Sequence, residues 1–205
     1  MYSYQYELGK AANVLTEELF KLKAGETFVI TADTRTNSLI VDTIATAAFT
    51  IGAKPMVIWL ASPLVEQKLA DSILPVESLT GALKGADAWL QLNSKSIFHS
   101  TPGHVAVNEN KKLRFIGFDG SEISMIVRCI NRVDYPNLKR FLQEVGDLTN
   151  KAKHVRMTNP AGTDVEFDNI PGVKVNVEDG YADKPGIHWV AGQIGWFPAQ
   201  NLIQF

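Results

Sequence analysis

Apolar residues near the N-terminus recur at three- and four-residue spacing. Leu8, Ala11, Ala12, Leu15, Leu19 and Leu22 share one face, and Glu7, Lys10, Glu17, Glu18 and Lys21 lie elsewhere. The spacing predicts a helix over residues 4–23, ended at Ala24-Gly25, where glycine takes a left-handed position cheaply. The period then changes. Thr27 to Ala32 (TFVITA) reads as a buried parallel strand. A polar loop follows, Asp33-Thr34-Arg35-Thr36-Asn37. Asn37 or Ser38 can cap the helix LIVDTIATAAFTIG, which ends at Gly52. Lys54 to Leu60 (KPMVIWL) predicts the second strand. A crossover of this length allows parallel pairing, and the right-handed rule puts the helix on one face of the sheet.

The alternation continues. Short helices are predicted over 63–71 and 76–83, a strand over Asp87 to Leu92, and a polar loop over Asn93 to Gly103. A turn of helix over 104–110, a strand over Leu113 to Phe118, and helices over 122–132 and 136–151 come next. Pro136 suits a first helical turn. Repeated βα units predict an α/β fold: an open, mostly parallel Rossmann-like sheet with helices on both faces, over residues 1–151. Beyond it the pattern changes to short strands, His154 to Thr158, Thr163 to Phe167 and Val173 to Val177, separated by Pro-Ala-Gly and Asn-Ile-Pro-Gly turns. Residues 152–205 are therefore expected to start a smaller antiparallel β-rich domain. The chain ends on Asn201-Leu202-Ile203-Gln204-Phe205, which reads as a strand still running, so the chain is expected to be the N-terminal part of a longer protein and inactive by itself.

Composition narrows the function classes. The 205 residues are 45% apolar and 20% charged, as in soluble globular proteins. The net charge of −2 leaves no basic footprint for nucleic acid. No run of eighteen apolar residues predicts a membrane helix, and the N-terminus has no signal-peptide pattern. The single cysteine, Cys129, excludes an internal disulfide, reads as a buried thiol, and fits a reducing, cytoplasmic setting.

Candidate chemistry is sparse. HExxH, paired CxxC, P-loop, GxGxxG and GxSxG motifs are all missing from the sequence. Of the four histidines, His104 leaves the third strand after Thr101-Pro102-Gly103, where open α/β sheets bind ligands. A general base there and a surface histidine on a Pro-Gly turn are both open readings. His99 stands next to Phe98, which suggests packing. His188 lies in GIHWVAGQIGW, where Trp189 and Trp196 flank Gly192, Gln193 and Gly195. An aromatic substrate and a core strand with a hydrogen-bonded histidine both fit that run. Asp164 is expected to bond back to the Gly162-Thr163 turn. Asp33, Arg35 and Asn37 face either a ligand or solvent. No two histidines have helical ligand spacing, so no complete metal site is expected within the chain.

The order of motifs carries a resemblance. LKAGETFVITAD, a helix ending in IGAKPMVIW, and later NPAGTDVEFD resemble the aminopeptidase T family of metallo-aminopeptidases along most of the chain. In those peptidases a Pro-x-Glu segment after the Gly-Thr-Asp turn supplies a metal ligand. Pro198-Ala199-Gln200 stands there instead, and a neutral glutamine is a poor ligand. The 2,5-dihydroxypyridine dioxygenase branch of the same superfamily is similar in AGQIGWFP and in the placement of His104 and His188.

That resemblance implies a non-haem Fe(II) ring-cleaving dioxygenase, its iron held beyond these residues. His104 would be the base, and His188, Trp189, Gln193 and Trp196 would contact the substrate. The alternative is an aminopeptidase using zinc or cobalt, and a third reading is a non-catalytic binding relative. A small-molecule substrate and self-association as a homo-oligomer are the expected partners, with no nucleic acid and no membrane.

Overall fold

The computed structural model describes residues 4–120, 122–170 and 172–195. These form two compact units. One holds the described residues up to Val133 together with 180–191, and the other holds 134–179 and the described residues from Gly192 on.

The first unit is built on a parallel sheet. Its strands are β1 (Thr27–Asp33), β2 (Lys54–Leu60), β3 (Ala88–Gln91), β4 (Arg114–Gly117) and β8 (Gly186–His188), in the order β2-β1-β3-β4-β8. The chain leaves β1 in one direction to β2 and then crosses back to β3, so the order reverses between β1 and β3. Side chains alternate across the sheet. Val29, Trp89 and Phe115 are register neighbours on one face, where they join Leu79 and Leu83 of α3 (Val76–Gly85) and Ala106 of α4 (Thr101–Glu109) in one buried cluster. Phe28, Ile30, Leu90 and Ile116 alternate to the other face and are also buried. A second helical group contains α1 (Gln5–Asn13), α2 (Ser38–Thr50) and α5 (Ile123–Ile126). In it α1 packs on α2 and α5, and α2 packs on β1 and β2. Both α1 and α5 run on into a turn of π geometry, Val14–Leu19 and Val127–Asn131.

Two local choices anchor this unit. Asn37 accepts a hydrogen bond from the Leu39 amide at 3.0 Å and so caps α2 with one of the residues the sequence offered. Arg114 carries a charge inside a buried strand. Its guanidinium pairs with Glu26 at 2.7 Å and donates to the Phe20 carbonyl, which removes the cost of an unpaired buried cation.

The second unit contains α6 (Tyr135–Lys151), with Asp134 capping it and Pro136 in its first turn. Its strands are β5 (His154–Thr158), β6 (Asp164–Asp168), β7 (Asn176–Glu178) and β9 (Gln193–Gly195), which pair antiparallel as β5-β6 and β7-β9. The β5-β6 turn differs from the expectation. Asn159, not Asp164, bonds the turn backbone, accepting from Ala161 and Thr163 amides at 2.9 and 3.1 Å. Asp164 instead receives a two-pronged bond from Arg156 across the strand pair, at 2.9 and 2.8 Å. No helix among the described residues is long and apolar enough to cross a membrane.

Candidate functional site

His104 sits in the first half of α4, and its position depends on how that helix starts. The helix begins at Thr101, three residues before the predicted turn, with Pro102 in the first turn. Its cap comes from a distant residue. Asp71 accepts from the Thr101 amide at 2.9 Å and from the Thr101 hydroxyl at 2.5 Å. Burial pushes the Asp71 carboxyl up, but hydrogen bonds from Lys68 and Thr101 outweigh it and hold the group below the ordinary aspartate range. Gly103 then allows α4 to lie directly on the preceding loop. A Cβ at this position would stand 2.1 Å from the Phe98 carbonyl oxygen.

The consequence is an aromatic ladder from the core to the surface. Trp89 meets Phe115 at 4.5 Å between centroids, Phe115 stacks on Phe98 at 4.5 Å, and Phe98 meets His99 at 4.6 Å. His99 lies 5.4 Å from His104, and both histidines are exposed. Trp189, half-buried just past β8, presents its ring to Phe98 at 6.2 Å and Phe115 at 6.4 Å, edge-on to both. So the fold joins Trp189 and His104 through Phe98 and His99.

His188 goes elsewhere. It pairs in register with Ile116, whereas Trp189 contacts Phe115, so the neighbouring side chains leave opposite faces of the sheet. The imidazole is buried, with 4% exposed, and its Nε2 lies 2.9 Å from the Lys184 carbonyl. A carbonyl only accepts, so Nε2 carries the proton. Gln193 lies exposed on β9 in the second unit, opposite Glu178. Trp196 and Gln200 lie outside the described residues. Among the described residues, no group of three or more His, Cys, Asp or Glu side chains is arranged to hold a metal ion.

A polar network at the carboxyl ends of the strands escaped the sequence reading. Gln91, fully buried in β3, donates to Asp119 just past β4, and its Oε1 accepts from the Ile97 amide at 3.1 Å. Burial pushes the Asp119 carboxyl up from its ordinary range. Hydrogen bonds from Gln91 and Ser96 work against this, and the Glu66 charge adds to it. The available signal was an aspartate directly after a strand at the sheet's carboxyl edge.

A carboxyl raised by folding gives stability that is fully present below its unfolded value, near 3.8, and is lost as pH rises through the folded value. Asp119→Asn removes that loss and keeps an acceptor for Gln91. Its stability relative to wild type in urea unfolding is therefore expected to be greater at pH 7 than at pH 3.5 (chosen as about the unfolded pKa). An equal difference at both pH values would refute the assignment.

Comparison with known proteins gives the family and the fold. The profile of the 2,5-dihydroxypyridine 5,6-dioxygenase family matches residues 12–204. The solved structure of 2,5-dihydroxypyridine dioxygenase from Pseudomonas putida KT2440 superposes with a TM-score of 0.67 at 16% identity, covering 92% of this chain and 54% of that one. Wild-type AmpT from Thermus thermophilus superposes with a TM-score of 0.54 at 17% identity, covering 81% of this chain and 54% of that one. The chain thus spans about half the length of both. At these identities the likeness is one of fold. No curated protein sequence matches the chain significantly.

Proposed function

The chain belongs to the 2,5-dihydroxypyridine 5,6-dioxygenase family, and from that premise we propose that it is the N-terminal portion of a ring-cleaving dioxygenase acting on a hydroxylated pyridine or a similar aromatic. The family match over residues 12–204 carries this reading. The aromatic ladder supports it, because the half-buried Trp189 is linked through Phe98 and His99 to the exposed imidazole of His104.

The described residues do not form a donor set for iron. Fe(II) belongs to this reading as an ion held by other residues. The chain's own part is recognition and proton handling. His104 takes the proton of the substrate hydroxyl, and Trp189 packs against the ring. His188, bonded to the Lys184 carbonyl, ties the end of β8 to the segment that leads into it, next to Trp189. The substrate is a small molecule, the compartment is the reducing cytoplasm, and the protein works as a homo-oligomer.

The test is oxygen uptake by the full-length protein with ferrous iron and 2,5-dihydroxypyridine. Uptake that depends on both is expected; none under anaerobically loaded, saturating iron would sink the reading. The fold likeness to AmpT keeps a metallo-aminopeptidase as the competitor. Hydrolysis of leucyl anilide with zinc or cobalt, in the absence of oxygen uptake, would favour it instead.

A further inference from the structure

We propose that a cleft at the carboxyl ends of β1, β3 and β4 binds a small oxyanion, a carboxylate or a phosphate, with Arg35 as its principal contact. The cleft has a volume of about 750 Å³ and lies entirely within the first unit. Arg35, Thr36 and Asn37 reach it from the loop after β1, Ser94 and Lys95 from the loop after β3, and Gly120 from the turn after β4. The strand order reverses between β1 and β3, and ligands of open α/β sheets bind in the crevice outside such a reversal. The cleft and the aromatic ladder have no lining residue in common.

The cleft is built before any ligand arrives. Asp33, fully buried at the end of β1, accepts from the Ser94 amide at 2.7 Å, the Ser94 hydroxyl at 2.9 Å and the Arg35 amide at 2.9 Å. The Thr36 hydroxyl donates to the Leu92 carbonyl at 3.0 Å and accepts from the Asp33 amide at 3.0 Å. These bonds tie the two loops together, so little ordering remains to be done on binding.

The charges favour an anion at one end. Lys95 is shared with Glu66 at 3.1 Å, and Glu122 stands on the rim. The Arg35 side chain is exposed and makes no ion pair or hydrogen bond among the described residues, while its backbone is fixed by Asp33. An unpaired guanidinium on an anchored backbone offers the donor fork that carboxylates and phosphates fit. A second observation marks this edge as polar and incompletely satisfied. Asn93, between the lining residues Leu92 and Ser94, is fully buried, and neither its side-chain nitrogen nor its side-chain oxygen has a partner among the described residues. Buried amides in native proteins are normally paired.

Calorimetric titration of the full-length protein with inorganic phosphate, and separately with malonate, at constant ionic strength in chloride, tests the site. Saturable binding of at least one anion is expected, and the preferred one identifies the chemistry. Arg35→Gln is expected to weaken it by roughly tenfold or more, as loss of a charged hydrogen bond implies. Lys95→Gln should weaken it less, and Trp189→Ala should leave it unchanged. Arg35 is exposed, so a normal circular dichroism spectrum for its variant is expected. No saturable heat with either anion, or equal affinity in wild type and both cation variants, would overturn the proposal. The measurement uses neither iron nor oxygen, so its failure is separable from failure of the ring-cleavage reading.

Discussion

Replacing Gly103 by alanine is expected to destabilise the first unit by about 3 kcal/mol or more, beyond the usual range for an added methyl group in a packed site. The new Cβ would meet the Phe98 carbonyl oxygen at 2.1 Å, its carbon at 2.8 Å and the Ile97 carbonyl oxygen at 3.1 Å. All three are backbone atoms, so no side-chain rotation relieves the contact. Either α4 moves off the loop or the loop moves off the core, where Phe98 stacks on Phe115. Gly81 provides the control. It is interior to α3 and has no heavy atom within 4 Å of its ideal Cβ. Gly81→Ala should therefore raise stability by about 0.5–1 kcal/mol through helix propensity alone. Urea unfolding of the two variants reads the contrast directly, and similar shifts would mean that α4 does not lie on the 97–98 backbone as described. Because His104 follows Gly103, the same variant should also disorder the base that the proposed reaction needs.

The legible parts of this chain were those whose cause is local. The β1–α2–β2 unit showed in an apolar run, a capped stretch ended by glycine and a second run, and its bounds match to within two residues. What failed to show has its cause far away in sequence. The start of α4 depends on Asp71, thirty residues earlier. The Phe98–Trp189 contact joins segments far apart in the chain. The core strand with a hydrogen-bonded histidine, one of two readings open for GIHWVAGQIGW, is β8, but that it pairs with β4 was not legible in three residues. The strand expected over 173–177 appears as Asn176–Glu178, and at its expected start the Val173 amide donates to the Ile170 carbonyl at 3.2 Å. Of the candidate site, the run GIHWV identified two informative residues but could not say that strand alternation sends His188 and Trp189 to opposite faces. Arg35 and Asn37 were visible as polar loop residues, and only the strand order gives that loop a cleft to line.

That opposition of faces separates the roles of the two histidines in a measurable way. In the full-length protein assayed by oxygen uptake, His104→Ala is expected to lower kcat by about 10²–10⁴-fold, the range for loss of a positioned general base. Its ring is exposed beside His99, and no described hydrogen bond of the fold uses its side chain, so stability should change little. Trp189→Ala removes an aromatic surface of about 0.5–1.5 kcal/mol in stacking, so a rise in KM of roughly 3–10-fold with a smaller change in kcat is expected. His188→Ala should behave differently from both. It strips β8 of the bond from Nε2 to the Lys184 carbonyl and leaves a buried void, so it should lower the unfolding midpoint first and activity only with it. The decisive comparison is therefore activity per folded molecule. If His188→Ala, at a temperature where it remains folded, loses as much kcat as His104→Ala while KM stays constant, then His188 meets the substrate directly. Its bond to Lys184 would then be a resting arrangement that the bound ring displaces.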